Sequence, residues 1–209
     1  MIKPTLTINK LISGASITIV ALGDSLTQGW MVSKGYVDFL REMLRAKFPQ
    51  SRFKLVNSGI PGDTADSGLY RLRWDVLHHK PNCVFIQYAL NDAFSGYSEL
   101  QFKDNIRGII DKTRGAGDVD IILITSGYID DEHDNSIVEG FYRQLEALGE
   151  CYAIPVALVH KYWSKKVSDG VPFESLVQHD GVHPTEEGYR LMAEAVMSLF
   201  EINEKGQNI

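Results

Sequence analysis

The reading of this chain turns on the stretch Ile17-Thr18-Ile19-Val20-Ala21-Leu22-Gly23-Asp24-Ser25. Ile17–Leu22 is apolar and β-branched with no polar alternation, the pattern of a strand covered on both faces. It is too short for the apolar region of a secretory signal, and it runs into Gly-Asp-Ser rather than a small-residue cleavage site. Four further runs of the same kind follow at Phe53–Asn57, Cys83–Tyr88, Ile121–Thr125 and Val156–His160.

Amphipathic segments separate them. Tyr36, Phe39, Leu40, Met43 and Leu44 recur at the spacing of one buried helical face, as do Phe102, Ile106, Ile109 and Ile110, and then Ile137, Phe141 and Leu145. A last helix is expected after Pro184, with Thr185 as N-cap, Glu186 and Glu187 in its first turn, and Tyr189, Met192, Ala193, Val196 and Phe200 facing inward. Five successive βα units predict an α/β fold: a parallel sheet with right-handed crossovers and helices on both sides. The segment Glu204–Ile209 reads as a frayed end.

Bulk properties narrow the function. With 209 residues, 44% of them hydrophobic, the chain can bury one sizeable core, so a single domain over residues 1–209 is expected, its core running from about 17 to 200. A net charge of −6 with no basic stripe argues against nucleic acid and anionic membranes as partners. No run approaches the ~20 apolar residues of a membrane span. Cys83 and Cys151 lie far apart in apolar contexts and read as two buried, reduced thiols, and a cytoplasmic protein is expected. No metal-type Cys/His spacing occurs.

In such sheets ligands bind beyond the carboxyl ends of the strands. The residues there are Gly23-Asp24-Ser25, Ser58-Gly59, Asn91-Asp92, Ser126-Gly127 and His160-Lys161. Ser25 sits at the first turn after a strand, where its hydroxyl is exposed and backbone N–H groups face a developing anion. Taken alone, Gly-Asp-Ser is ordinary loop vocabulary, and the Gly-x-Ser-x-Gly elbow of α/β-hydrolases is absent. In Asp180-Gly181-Val182-His183-Pro184 an aspartate three residues before a histidine can hold imidazole Nδ1 and leave Nε2 free as a base; a helix cap beside a surface histidine is the plainer alternative. Asn91 can aim its carboxamide at the crevice or close an Asx turn, and Gly59 can present its N–H there or serve a turn. His160 ends a strand, His78 and His79 close a helix before Pro81, and His133 falls in an acidic loop.

As a set, Gly23-Asp24-Ser25-Leu26, Gly59, Asn91-Asp92 and Asp180-x-x-His183 resemble the GDSL/SGNH hydrolase family from about Ile17 to Phe200. The resemblance implies a flavodoxin-like three-layer α/β/α fold and hydrolysis of esters or thioesters without metal or organic cofactor; small, short-acyl substrates are expected because nothing in the sequence suggests a long apolar lid or a membrane-docking helix. It also implies Ser25 as nucleophile, His183 as base, Asp180 as its partner, and Ser25 N–H, Gly59 N–H and Asn91 as the oxyanion hole. Ala89-Leu90-Asn91-Asp92 departs from the family's usual Gly-x-Asn-Asp. Asp24 and Asp92 are expected to anchor loops, and Trp30, Met31, Phe94, Tyr97, Tyr128, Trp163 and Phe173 lie in or near the site loops. Two other readings use the same sheet: a phosphoacceptor domain built on Asp24, Asp92 and Lys161, and a catalytically silent binding protein. The first leaves Ser25, Gly59, Asn91 and His183 unexplained and the chain too long for such a domain, and the second is disfavoured because every position of the triad and hole is present.

Overall fold

The structure, a computed structural model, describes residues 2–202. Its centre is a five-stranded parallel sheet of order β2-β1-β3-β4-β5: β1 Ser16–Gly23, β2 Arg52–Gly59, β3 Cys83–Gln87, β4 Asp120–Ile124 and β5 Val156–Ala157. The helices are α1 Thr5–Ile12, α2 Ser25–Gln28, α3 Tyr36–Lys47, α4 Ala65–Asp75, α5 Leu90–Phe94, α6 Glu99–Arg114, α7 Glu132–Tyr152, α8 Val159–Ser168 and α9 Glu186–Met197. Because β1→β2 runs one way across the sheet and β3→β4→β5 the other, right-handed crossovers put helices on opposite faces. Helix α3 packs with α9 and α9 with α8 on one side, and α4, α6 and α7 pack together on the other. This is the three-layer flavodoxin-like arrangement expected from the sequence.

Strand composition follows position. β1, β3 and β4 are central, and every residue of β3 is buried. β2 departs from the expectation of cover on both faces: it is an edge strand in which only Leu55 is buried. β5 is shorter than the expected Val156–His160. Thr125 Oγ1 lies 2.8 Å from His160 Nδ1, where the chain leaves the sheet, and His160 becomes the second residue of α8, stacked on Tyr142 at 4.6 Å.

The expected helical faces are buried at Tyr36, Leu40 and Leu44, and at Phe102, Ile106, Ile109 and Ile110. On α7, Phe141 and Leu145 are buried but Ile137 is exposed. His133 is exposed as expected, but in a helix: Asp131 caps α7 by accepting from the N–H of Asp134, so the acidic run opens the helix rather than a loop. His78 and His79 occupy a 3-10 turn before Pro81. Cys83 is buried, whereas Cys151, near the end of α7, is exposed. Glu204–Ile209 lie outside the described residues. Among the described residues no helix is long and apolar enough to cross a membrane.

Helix α1 has no counterpart in the sequence reading. Eight residues are marginal as an isolated helix, and its stability comes from burying Ile8 and Leu11 and from a 2.6 Å hydrogen bond from the Thr7 N–H to Asp120 Oδ2, 113 residues away. Asp120→Ala should therefore cost about 1–3 kcal/mol, the range for leaving a buried donor unsatisfied. Amide exchange should accelerate across residues 5–12, and unchanged exchange there would show that packing alone holds α1.

Candidate active site

The site forms where β1 ends between its two neighbours, with Gly23 opposite Gly59 on one side and Gln87 on the other. A Cβ on Gly23 would fall 2.1 Å from Thr27 Oγ1 and 2.6 Å from the Gln87 carbonyl oxygen. Only glycine lets the chain fold back so tightly, and the short helix α2 follows at once. Asp24 caps it, its Oδ1 accepting from the Leu26 N–H at 2.9 Å. Ser25 is thereby the first helical residue, where the N–H has no intrahelical partner.

Ser25 Oγ lies 3.0 Å from His183 Nε2, and His183 Nδ1 lies 2.6 Å from Asp180 Oδ2. The other Asp180 oxygen accepts the N–H groups of Val182 and His183 at 3.0 and 2.9 Å. Partial burial works against ionisation of Asp180, but the Val182 N–H, the His183 ring and the His183 N–H outweigh it and hold the pKa below the ordinary value. An ionised Asp180 fixes the tautomer with hydrogen on Nδ1 and leaves Nε2 as an acceptor facing the serine. The supporting loop is itself braced: the Gln178 carboxamide donates to the carbonyls of Pro184 (2.8 Å) and Trp30 (3.0 Å), and the Trp30 ring lies 6.3 Å from that of His183. Thr185 caps α9 as expected.

On the opposite side, Asn91 is the second residue of α5 and donates from Nδ2 to the Asp63 carbonyl at 2.8 Å, which orients the carboxamide and leaves its second N–H uncommitted. The structure gives Gly59 a different part from the one expected. Its N–H donates to Asn57 Oδ1 at 3.0 Å, and a Cβ there would lie 2.2 Å from the Gln28 nitrogen, so Gly59 is glycine because α2 packs against the end of β2. Gly62, in the turn beside Asp63, has φ +80 and open space around it, and its N–H has no acceptor among the described residues. Gly59 closes β2, and Gly62 follows three residues on in the same Gly59-Ile60-Pro61-Gly62 turn.

Arg71 binds these parts together. From α4 its guanidinium donates to Asp63 Oδ2 (2.6 Å), Asp75 Oδ2 (3.0 Å), the Gly23 carbonyl (3.0 Å) and the Tyr88 hydroxyl (3.2 Å), joining the strand before Ser25 to the loop that holds Asn91. Nothing in its local sequence sets it apart from the other charges of the chain. Asp92 accepts the Ala65 N–H at 2.9 Å, so Asp24 and Asp92 both anchor loops as expected. Burial raises Asp24 to about 7 against the pull of Leu26 and Gln87, and Asp92 to about 6 against that of Ala65.

Of the aromatic candidates, Trp163 is core, its ring packed against Gly127 and Gly188, while Trp30 and Phe94 are exposed and Tyr128 packs on Phe173 at 5.0 Å. Lys161 pairs with Glu146 on the surface at 2.7 Å, so the phosphoacceptor arrangement of a lysine among Asp24 and Asp92 is not formed. Among the described residues no group of three or more His, Cys, Asp or Glu could hold a metal ion.

Residues 21–191 match the model of the GDSL-like lipase/acylhydrolase family. The chain belongs to that family. Carboxylic ester hydrolysis, expected from the sequence, is accordingly its reaction class. Relatives include the thioesterase 1/protease 1/lysophospholipase L1 of Escherichia coli K12, 24% identical over 185 residues, covering 87% of this chain and 82% of that one. Esterase TesA of Pseudomonas aeruginosa is 27% identical over 172 residues, 81% of each chain. The crystal structure of an acetylxylan esterase from Geobacillus stearothermophilus superposes with a TM-score of 0.80 at 21% identity, covering 90% of this chain and 95% of that one.

The departure at Ala89 has a measurable cost. Its φ of +149 lies where side chains are strained and glycine is not. Ala89→Gly should relieve about 1 kcal/mol net and raise Tm by about 2–4 °C with activity retained; an unchanged or lower Tm would mean that the alanine is unstrained.

The buried carboxyls make a pH prediction. Asp92 is raised from 3.8 to about 6, so folding favours its protonated form. Its contribution to stability is whole below about pH 4 and is lost as pH rises through about 6. Asparagine does not titrate, so the Tm of Asp92→Asn minus that of the unaltered chain should become more positive between about pH 4 and 8. A difference constant with pH would contradict the shift.

Proposed function

We propose that this protein hydrolyses short-acyl carboxylic esters or thioesters through an acyl-enzyme on Ser25, the described chain acting as one catalytic domain. The observation that carries the reading is the unbroken line Ser25 Oγ–His183 Nε2, His183 Nδ1–Asp180 Oδ2, closed between residues 158 positions apart. As the serine oxygen attacks the acyl carbon, its proton passes to Nε2 and Asp180 stabilises the imidazolium. The carbonyl π bond opens to an oxyanion, which the N–H groups of Ser25 and Gly62 and the free carboxamide hydrogen of Asn91 receive. The tetrahedral centre collapses, the proton moves from Nε2 to the departing alkoxide or thiolate, and water repeats the sequence to release the acid.

The acetylxylan esterase of Geobacillus stearothermophilus supports the short acyl group, and its catalytic mutants at a serine, an aspartate and a histidine support the triad. A cytoplasmic setting belongs to the same reading, supported by the two unpaired thiols, one of them on the surface.

The test is hydrolysis of p-nitrophenyl esters from acetyl to dodecanoyl, beside labelling by a serine-directed fluorophosphonate. Ser25→Ala should abolish both. Asp180→Asn should lower kcat by about 10⁴, and Asn91→Ala by about 10²–10³ with little change in KM. Near-normal turnover by Ser25→Ala would end the serine mechanism. A kcat/KM that climbs with chain length would replace the short-acyl substrate by a longer one.

A further inference from the structure

Gln87 ends β3, a strand otherwise apolar, and its side chain is completely buried. A carboxamide placed there must be hydrogen-bonded to be tolerated. Its Oε1 accepts the Thr27 hydroxyl at 2.8 Å, while Nε2 donates to Asp24 Oδ2 at 3.3 Å and to Ser126 Oγ at 3.2 Å. Asp24 and Thr27 bracket Ser25 in the α2 turn, so one side chain grips that turn on both sides of the nucleophile. Thr27 is in turn 3.2 Å from the Tyr36 hydroxyl on α3. Ser126 belongs to the segment after β4, so the grip is referred to the next strand of the sheet.

We infer that Gln87 is a positioning residue for the nucleophile: its carboxamide sets the turn Asp24-Ser25-Leu26-Thr27 at the height where Ser25 Oγ meets His183. This rests on Ser25 being the nucleophile. Gln87 touches neither His183 nor the reacting atoms. An apolar residue of similar size would fill the space without polar partners, so the amide contributes register rather than bulk.

A carboxyl at the same place gives this role a signature of its own. The side chain introduced by Gln87→Glu would keep the acceptor for Thr27 but would meet Asp24 acid to acid, and two carboxyls at that distance share one proton. The groups around the pair are Asp63 and Asp92, which oppose further negative charge, Arg71 beyond Asp63, and the hydroxyls of Tyr36, Tyr88, Tyr142 and Tyr189, which burial keeps protonated. Raising the pH removes the shared proton, sets two carboxylates against each other and opens the turn. The unaltered amide donates at every pH.

The experiment compares Gln87→Leu and Gln87→Glu with the unaltered chain, using p-nitrophenyl acetate turnover, the rate of fluorophosphonate labelling, and circular dichroism. Gln87→Leu should remain folded and lose about tenfold to a hundredfold in kcat and in labelling rate, with KM within about twofold, the cost of a misplaced nucleophile. Gln87→Glu should approach normal kcat near pH 6 and lose it towards about pH 9, through a step absent from the unaltered chain. A folded Gln87→Leu with normal kcat and labelling overturns the inference. Should that variant not fold, Gln87→Glu decides alone, and a pH profile parallel to that of the unaltered chain overturns it. If the unaltered chain is not labelled at Ser25, the nucleophile assignment fails and takes this inference with it; labelling that is equally fast in all three chains removes only the role of Gln87.

Discussion

The site depends on a steric constraint at the end of β1. Three parallel strands stop level with one another, and the chain must leave the middle one through a turn that lies directly on its neighbours. Gly23 permits this because Thr27 Oγ1 occupies the space a side chain would need, and Gly59 permits it from the β2 side, where the Gln28 backbone comes as close. With those two side chains absent, α2 seats against the sheet edge, and Ser25 is presented at its first position by backbone geometry rather than by a flexible loop. The polar groups beneath the turn, Asp24, Thr27 and Gln87, then have one another as partners, so the turn has one satisfied arrangement.

Electrostatics sorts the three aspartates of the crevice. Asp180 sits exposed on the outside of its loop and receives two backbone N–H groups and the imidazole, so it is held as a carboxylate and can support an imidazolium. Asp24 and Asp92 lie inside, where burial favours their neutral forms and their oxygens are committed to the N–H groups of Leu26 and Ala65. Asp92 Oδ2 has no partner among the described residues. Arg71 offsets part of this interior negative charge through Asp63 while tying the Gly23 carbonyl to the Asn91 side of the crevice. One face of the crevice thus carries the carboxylate–imidazole pair and the other the Asn91 carboxamide held on the Asp63 carbonyl, an arrangement that fits the acyl transfer proposed above.

What could be read from the sequence was whatever short-range patterning encodes. The apolar runs of β1, β3 and β4 have no polar alternation because both faces of those strands are covered, and their alternation with amphipathic segments implied a parallel sheet between helix layers. Asp180 and His183 were legible as a pair because three residues of one loop hold both, and the Thr185 cap because it is a local hydrogen bond. The resemblance of the motif set to a known family supplied the roles. Sequence patterning failed where stability or chemistry comes from distant partners. Helix α1 is too short to announce itself and leans on Asp120; β5 is cut to two residues where Thr125 meets His160; Cys151 was judged by its neighbours in sequence, and its exposure was decided by which side of α7 it falls on.

The parallel sheet, its helix layers and the local pairing of Asp180 with His183 were therefore legible in the sequence itself, because periodicity, capping and loop-bound pairs act over a few residues, while the roles given to Ser25, Asp180 and His183 rest on the resemblance of the motif set. The different surroundings of two glycines were decided only in three dimensions: Gly59 and Gly62 are three residues apart and chemically identical, but one is pressed against α2 with its N–H taken by Asn57 and the other is open. So too was the part played by Arg71 and Gln87, whose partners are brought to them by β1, β3 and α4 meeting at one sheet edge. A side chain's role in a buried network is a property of all its partners at once, and those partners are assembled by packing rather than by neighbourhood in the chain.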